Sequence, residues 1–152
     1  MIKIFSKNLL LFICFISISC SEYRKILKED GYEKKLESAL KYYENEEYFK
    51  ASTLLKDIKP LVKGSEESET VDFYFAYSLY NLKQYDLSAK YFKGFMELFS
   101  RSEKVIEAEY LYSISLYKES PNSNLDQSST IEAISAIQNF INKYPYLSLI
   151  HI

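Results

Sequence analysis

The feature that most constrains the fold is an interval of 37 residues that recurs along the chain. Three small residues and three tyrosines are spaced by it: Ala39, Ala76 and Ser113, and Tyr43, Tyr80 and Tyr117. A fixed interval of this size is typical of helical-hairpin repeats, whose tetratricopeptide (TPR) form has a period of about 34 residues. The spacing therefore predicts TPR-like repeats with about three residues added in the loops.

Hydrophobic periodicity predicts that the body of the chain is entirely helical. From Asp30 onward, apolar residues recur at positions i, i+3, i+4 and i+7, and short polar breaks interrupt them. Six helical blocks follow, at 30–44, 48–62, 67–82, 85–99, 103–118 and 128–144. Paired in order, they give repeats at 30–62, 67–99 and 103–144. The predicted fold class is an all-α, right-handed solenoid of about three TPR-like hairpins within 30–145; a helical-hairpin array without the TPR register remains the alternative.

The second helices of the three pairs share a pattern of one small and two large apolar residues. A small residue lets two helix axes approach closely, and large residues a turn later fill the groove. These positions are Ala51, Leu55 and Ile58; Ser88, Phe92 and Phe95; and Ala133, Ile137 and Phe140. We therefore expect Ala51 to be buried where the helices of the first pair cross.

Helix-ending and helix-capping residues punctuate the predicted blocks. Gly64 is expected to end the second helix, because glycine readily adopts the left-handed conformation that follows a helix. Ser65 and Ser102 are expected to cap the third and fifth helices through their hydroxyl groups.

Residues 1–19 are typical of an export signal. Lys3 and Lys7 precede a mostly apolar, uncharged run at 8–19, which is too short to span a membrane. Small Ser19 stands directly before Cys20, as in the bacterial lipobox. We predict that 1–19 are removed and that Cys20 is lipidated. An uncleaved anchor and simple secretion remain alternatives.

The cysteine count supports this use of Cys20. Cys14 lies in the leader, so the exported chain keeps one cysteine, which cannot form an internal disulfide. Acyl chains on its thiol and amine would hold the protein firmly to a membrane. Residues 20–29 are expected to be a linker from this anchor to the repeats.

The sequence offers little to an enzyme or to a metal site. His151 is the only histidine, and Gly31, Gly64 and Gly94 are isolated, so no phosphate-binding loop is present. The formal charge of −2, with both signs interspersed, is unlike a nucleic-acid-binding surface. We therefore predict no catalytic residues, metal, cofactor, small-molecule substrate or nucleic-acid partner.

Aromatic residues form a candidate binding surface. In TPR arrays the first helix of each pair lines the concave face, and on these helices the repeat places six aromatic residues: Tyr43, Phe73, Tyr77, Tyr80, Tyr110 and Tyr117. Such rings suit an extended peptide with aromatic side chains. The alternative for each ring is that it only packs between helices.

The mature chain resembles the BamD family of outer-membrane assembly lipoproteins, in its Bacteroidetes form. The resemblance covers Cys20 to Ala51 and Phe73 to Pro145, and its most distinctive part is the insertion SPNSNLDQ followed by AIQNFINKYP. It implies an outer-membrane lipoprotein that faces the periplasm within the machinery that inserts β-barrel proteins. Its implied partners are the BamA-like barrel-forming subunit and unfolded outer-membrane proteins. A generic periplasmic TPR adaptor, for example for cell-wall enzymes, is the alternative.

The C-terminal residues depart from this family. Members continue with further helical repeats after the position of Pro145, whereas residues 146–152 (YLSLIHI) are expected to be an irregular tail. The chain is therefore expected to be shortened relative to the family and to lack much of the surface that contacts BamA.

Overall fold

A computed structural model describes residues 23–120 and 127–146 of the chain. These residues contain six longer helices: α1 (Tyr32–Glu44), α2 (Tyr48–Ile58), α3 (Glu67–Asn81), α4 (Tyr85–Leu98), α5 (Val105–Glu119) and α6 (Ser128–Lys143). Each helix packs on the next, and α1–α3 and α3–α5 contacts join the first helices of the pairs into one layer. The predicted all-α array of helical hairpins is confirmed. The leader, Cys20, most of the insertion and the last six residues lie outside the described residues.

Ion pairs show how the helices run. Two of them join the start of a first helix to the end of its partner, and a third joins the beginnings of α3 and α5: Lys35–Asp57, Glu109–Lys143 and Glu69–Lys104. The pairs are therefore antiparallel hairpins, and successive first helices run in the same direction. We call the edge that carries the starts of α2, α4 and α6 the turn edge, and the opposite edge the loop edge.

The second helix is shorter than its apolar pattern predicts. It ends at Ile58, and residues 59–66 form turns, because Pro60 has no N–H with which to continue the helix. Gly64, with φ of +85°, therefore lies in the loop and does not end α2. The prediction that Ser65 caps α3 is wrong. The Ser65 hydroxyl instead donates to the Val62 carbonyl at 2.9 Å.

Ser102 lies just before the fifth helix but is not its N-cap, which is Lys104 without a side-chain cap hydrogen bond. Its Oγ accepts a hydrogen bond from the backbone N–H of Lys104 at 3.0 Å, just before α5 begins. The same hydroxyl donates to Glu69 Oε1 on α3 at 2.8 Å. This hydrogen bond holds the pKa of the Glu69 carboxyl below its usual value, and the ammonium group of Lys104 adds a smaller effect in the same direction. Ser102 therefore joins the loop before α5 to α3, which belongs to the preceding repeat.

The small residues of the repeat are buried at the helix contacts. Ala39, Ala51 and Ala76 are fully buried, which confirms the expected burial of Ala51. Ser88 is equally buried, and its hydroxyl donates to the Ala76 carbonyl at 3.1 Å. This bond satisfies a polar group that would otherwise be costly inside the core.

The segment expected to be a linker is partly helical. Residues 23–27 are helical, and Tyr23, Ile26 and Leu27 share one face at spacings of three and four residues. That face packs on the core of the first pair. The Tyr23 ring lies 5.6 Å from the Tyr42 ring, near the end of α1 and therefore at the turn edge.

Candidate peptide-binding surface

A network of aromatic rings joins α1 to α3. The Tyr43 ring centroid lies 4.9 Å from that of Tyr74, 5.6 Å from that of Tyr77 and 5.4 Å from that of Tyr48. The contacts with Tyr74 and Tyr48 are edge-to-face, a geometry that adds about 0.5–1.5 kcal/mol per pair to the gain from burial. Tyr43 is therefore held on several sides, and its ring direction is set before any ligand arrives.

The network continues along α3 toward α4. Tyr77 lies 6.2 Å from Tyr80, and Tyr80 lies 5.6 Å from Tyr85 at the start of α4. Three of the predicted site residues, Tyr43, Tyr77 and Tyr80, thus form one half-buried row. We call these three residues the tyrosine row.

The other three predicted site residues lie in different surroundings. Phe73 is only 3% exposed and packs on Phe92 and Phe95 in the core, so it supports Tyr77 from beneath the row. Tyr110 is half-buried, with its ring 5.7 Å from that of Phe140 on α6. Tyr117 is exposed near the end of α5.

Three neighbouring tyrosines belong to the same network but were not in the predicted site. Tyr48 and Tyr85 open the second helices and contact Tyr43 and Tyr80, respectively. The interval of 37 residues that separates them was a signal that could have included them. Tyr74, three residues before Tyr77, shares its helix face and could have been found by that spacing.

Burial moves the pKa values of the tyrosine row further above neutral pH, at which tyrosine is already uncharged. It raises the pKa of Tyr43 above the usual value of 10.0, with the Tyr77 and Tyr48 hydroxyls adding to the effect and a hydrogen bond with Asn81 opposing it. Burial also raises the pKa of Tyr77, as does the carboxylate of Glu107, which accepts a hydrogen bond from the Tyr77 hydroxyl. The row therefore presents apolar rings with neutral hydroxyl groups.

A depression of about 270 Å³ opens beside the row at the turn edge. Three tyrosines and two glutamates are among its lining residues, which are Leu40, Tyr43, Glu44, Glu46, Tyr48 and Tyr74. An apolar side chain from a partner could enter it against the rings. A larger depression, of about 470 Å³, lies between α1 and residues 26–29, and its lining is mostly charged or polar.

Neither a metal site nor a membrane-spanning helix is found among the described residues. Over 23–120 and 127–146, no cluster of three or more His, Cys, Asp or Glu side chains could hold a metal ion. In the same residues, no helix has both the length and the apolar character needed to cross a membrane.

The fold and the tyrosine row define a helical-repeat protein with an aromatic surface. The sequence pattern of the family YfiO, described as "Outer membrane lipoprotein", matches residues 29–148. Because this match covers most of the chain, the protein belongs to the YfiO family of outer membrane lipoproteins. The predicted BamD-like family is confirmed at that level, whereas the Bacteroidetes form stays a prediction. A comparison with curated proteins gave no match.

Proposed function

We propose that the protein is a non-enzymatic scaffold in the machinery that folds and inserts β-barrel proteins into the outer membrane, in the form found in the Bacteroidetes. A lipid on Cys20 holds it to the outer membrane, where it faces the periplasm. It binds a BamA-like barrel-forming subunit and unfolded outer-membrane proteins. The observation that carries this proposal is the family match over residues 29–148.

The tyrosine row is the proposed contact for unfolded substrates. Its rings are already ordered by their contacts with Tyr48, Tyr74 and Tyr85, so an incoming peptide loses little conformational freedom in arranging them. Tyrosine combines a large apolar area with a hydroxyl that can reach a peptide backbone. An extended, unfolded segment with aromatic side chains suits both properties.

Peptide binding tests this proposal. Peptides copied from the C-terminal strands of outer-membrane barrels should bind the full chain with micromolar dissociation constants. Peptides that lack the terminal aromatic residue should bind clearly more weakly. The double variant Tyr77→Ala and Tyr80→Ala should weaken binding by about tenfold or more, because it removes two rings of the row.

A matched variant separates loss of the row from loss of any ring. Tyr91 on α4 is half-buried and its ring contacts that of Phe75 on α3, not a ring of the tyrosine row, although it shares a core cluster with Tyr77 and Tyr80. Tyr91→Ala should therefore leave peptide affinity unchanged even if it lowers stability. Equal binding by the double variant, or crosslinking of the peptide to the outer faces of α2, α4 and α6, would contradict the proposed contact.

A further inference from the structure

Each of the three hairpins exposes a large apolar side chain within the first turn of its second helix. Phe49 on α2, Leu87 on α4 and Ile131 on α6 each lie in the first turn of a second helix. Single exposed apolar residues are common on protein surfaces and need no explanation. These three share a location, because the starts of α2, α4 and α6 all lie along the turn edge. That edge therefore exposes one large apolar side chain from each hairpin.

The proposed lipid anchor leads to the same edge. Tyr23 contacts the Tyr42 ring, and the ammonium group of Lys50, in the first turn of α2, lies 5.8 Å from the Tyr23 ring centroid. Tyr23 is therefore fixed where α1 ends and α2 begins. Three residues of chain span at most about 10 Å, so Cys20 cannot be farther than that from Tyr23. A lipid on Cys20 would therefore hold the bilayer beside the turn edge.

We propose that the turn edge rests on the phospholipid bilayer, with Phe49, Leu87 and Ile131 entering its interfacial region. This inference rests on the proposed lipidation of Cys20. The contact does not depend on attraction to anionic lipid, since one turn at this edge carries Glu44, Glu46 and Glu47 and the other carries Lys83. The contact is made by apolar side chains at the depth of the headgroups, as for other interfacial anchors.

The same helix supplies a matched control position. Leu61 follows α2 at the loop edge and is 60% exposed, which is close to the 69% of Phe49. The length of α2 separates the two, roughly 16 Å. If the turn edge faces the bilayer, Phe49 meets lipid and Leu61 does not.

Tryptophan fluorescence distinguishes these positions, because the chain contains no tryptophan. The full lipoprotein carrying Phe49→Trp is placed in vesicles of phosphatidylethanolamine and phosphatidylglycerol, with part of the lipid brominated. Trp emission should shift to shorter wavelength and be quenched severalfold more than in the Leu61→Trp protein. Leu87→Trp serves as a second reporter with the same expected result, should Phe49→Trp fail to fold.

Flotation with the vesicles separates the two ways in which this could fail. A protein that does not float has no working anchor, which overturns both the proposed lipidation and the inference. A protein that floats, but whose reporters at positions 49 and 87 are quenched no more than the one at position 61, overturns the inference alone.

Discussion

Glu46 and Lys83, 37 residues apart, both adopt the left-handed backbone conformation, with φ of 60° and 61°. Each lies in the turn between the two helices of a pair. The next residue then donates its amide to a carbonyl five positions earlier: Glu47 to Tyr42 at 2.8 Å, and Gln84 to Leu79 at 2.9 Å. The chain therefore uses the same helix-ending motif twice, and that motif sets how each second helix turns back on the first.

Glycine should stabilise these turns. A side chain in the left-handed region costs about 1 kcal/mol or more, whereas glycine adopts it freely but gains freedom in the unfolded chain. Glu46→Gly and Lys83→Gly should each raise the free energy of unfolding by about 0.5–1 kcal/mol, measured by urea denaturation. Asn45→Gly is the control, because Asn45 has φ of −84° and no strain to relieve. Lower stability in both variants would contradict the assigned turn.

Ala51→Leu should destabilise the first hairpin. Ala51 is fully buried, so three added heavy atoms must force the helices apart or adopt poor rotamers. We expect a loss of about 1–3 kcal/mol in the free energy of unfolding. Lys56→Leu, at an exposed position of the same helix, should change it by no more than about 0.5 kcal/mol. An unchanged melting midpoint for Ala51→Leu would mean that this site is not tightly packed.

Stability should fall in alkaline solution. Burial raises the pKa of Tyr43 above 10.0, so the folded protein keeps a proton that the unfolded chain releases near that pH. This contribution is complete below about pH 10 and is lost as pH rises toward the folded-state value. Urea denaturation between about pH 8 and 11 should show the decline, and Tyr43→Phe should make it less steep. An identical slope in the variant would exclude Tyr43 as a cause.

Cys20→Ser tests the anchor. We expect the wild-type protein to require detergent for extraction, because acyl chains on Cys20 partition into the bilayer. The variant should be soluble in the periplasm or keep its leader. Fractionation followed by immunoblotting measures both. Recovery of the wild-type protein in the aqueous periplasmic fraction would exclude lipid anchoring.

Helical periodicity and the repeat interval predict the fold because they are local signals that recur. α4, for example, starts at Tyr85 as predicted and ends at Leu98, one residue early. α2 ends four residues early because Pro60 breaks a helix that its apolar pattern would extend. The helical conformation of residues 23–27 was not predicted, because it depends on the core on which these residues pack.

The candidate site was harder to predict than the fold. Periodicity assigns a residue to a helix face, but it does not show how far the neighbouring helix covers that face. Phe73 and Tyr77 are four residues apart on α3, yet Phe73 is covered by Phe92 and Phe95 of α4, whereas Tyr77 stays half-exposed. Only the packing of α3 on α4 distinguishes a core ring from a surface ring.

Purification of the tagged, full-length lipoprotein from outer membranes in mild detergent tests the central claim most directly. The proposed function predicts that a barrel-forming subunit with periplasmic POTRA domains co-purifies with it in near-equal amount, along with unfolded outer-membrane proteins. Recovery of cell-wall enzymes without any such subunit would contradict a role in β-barrel assembly.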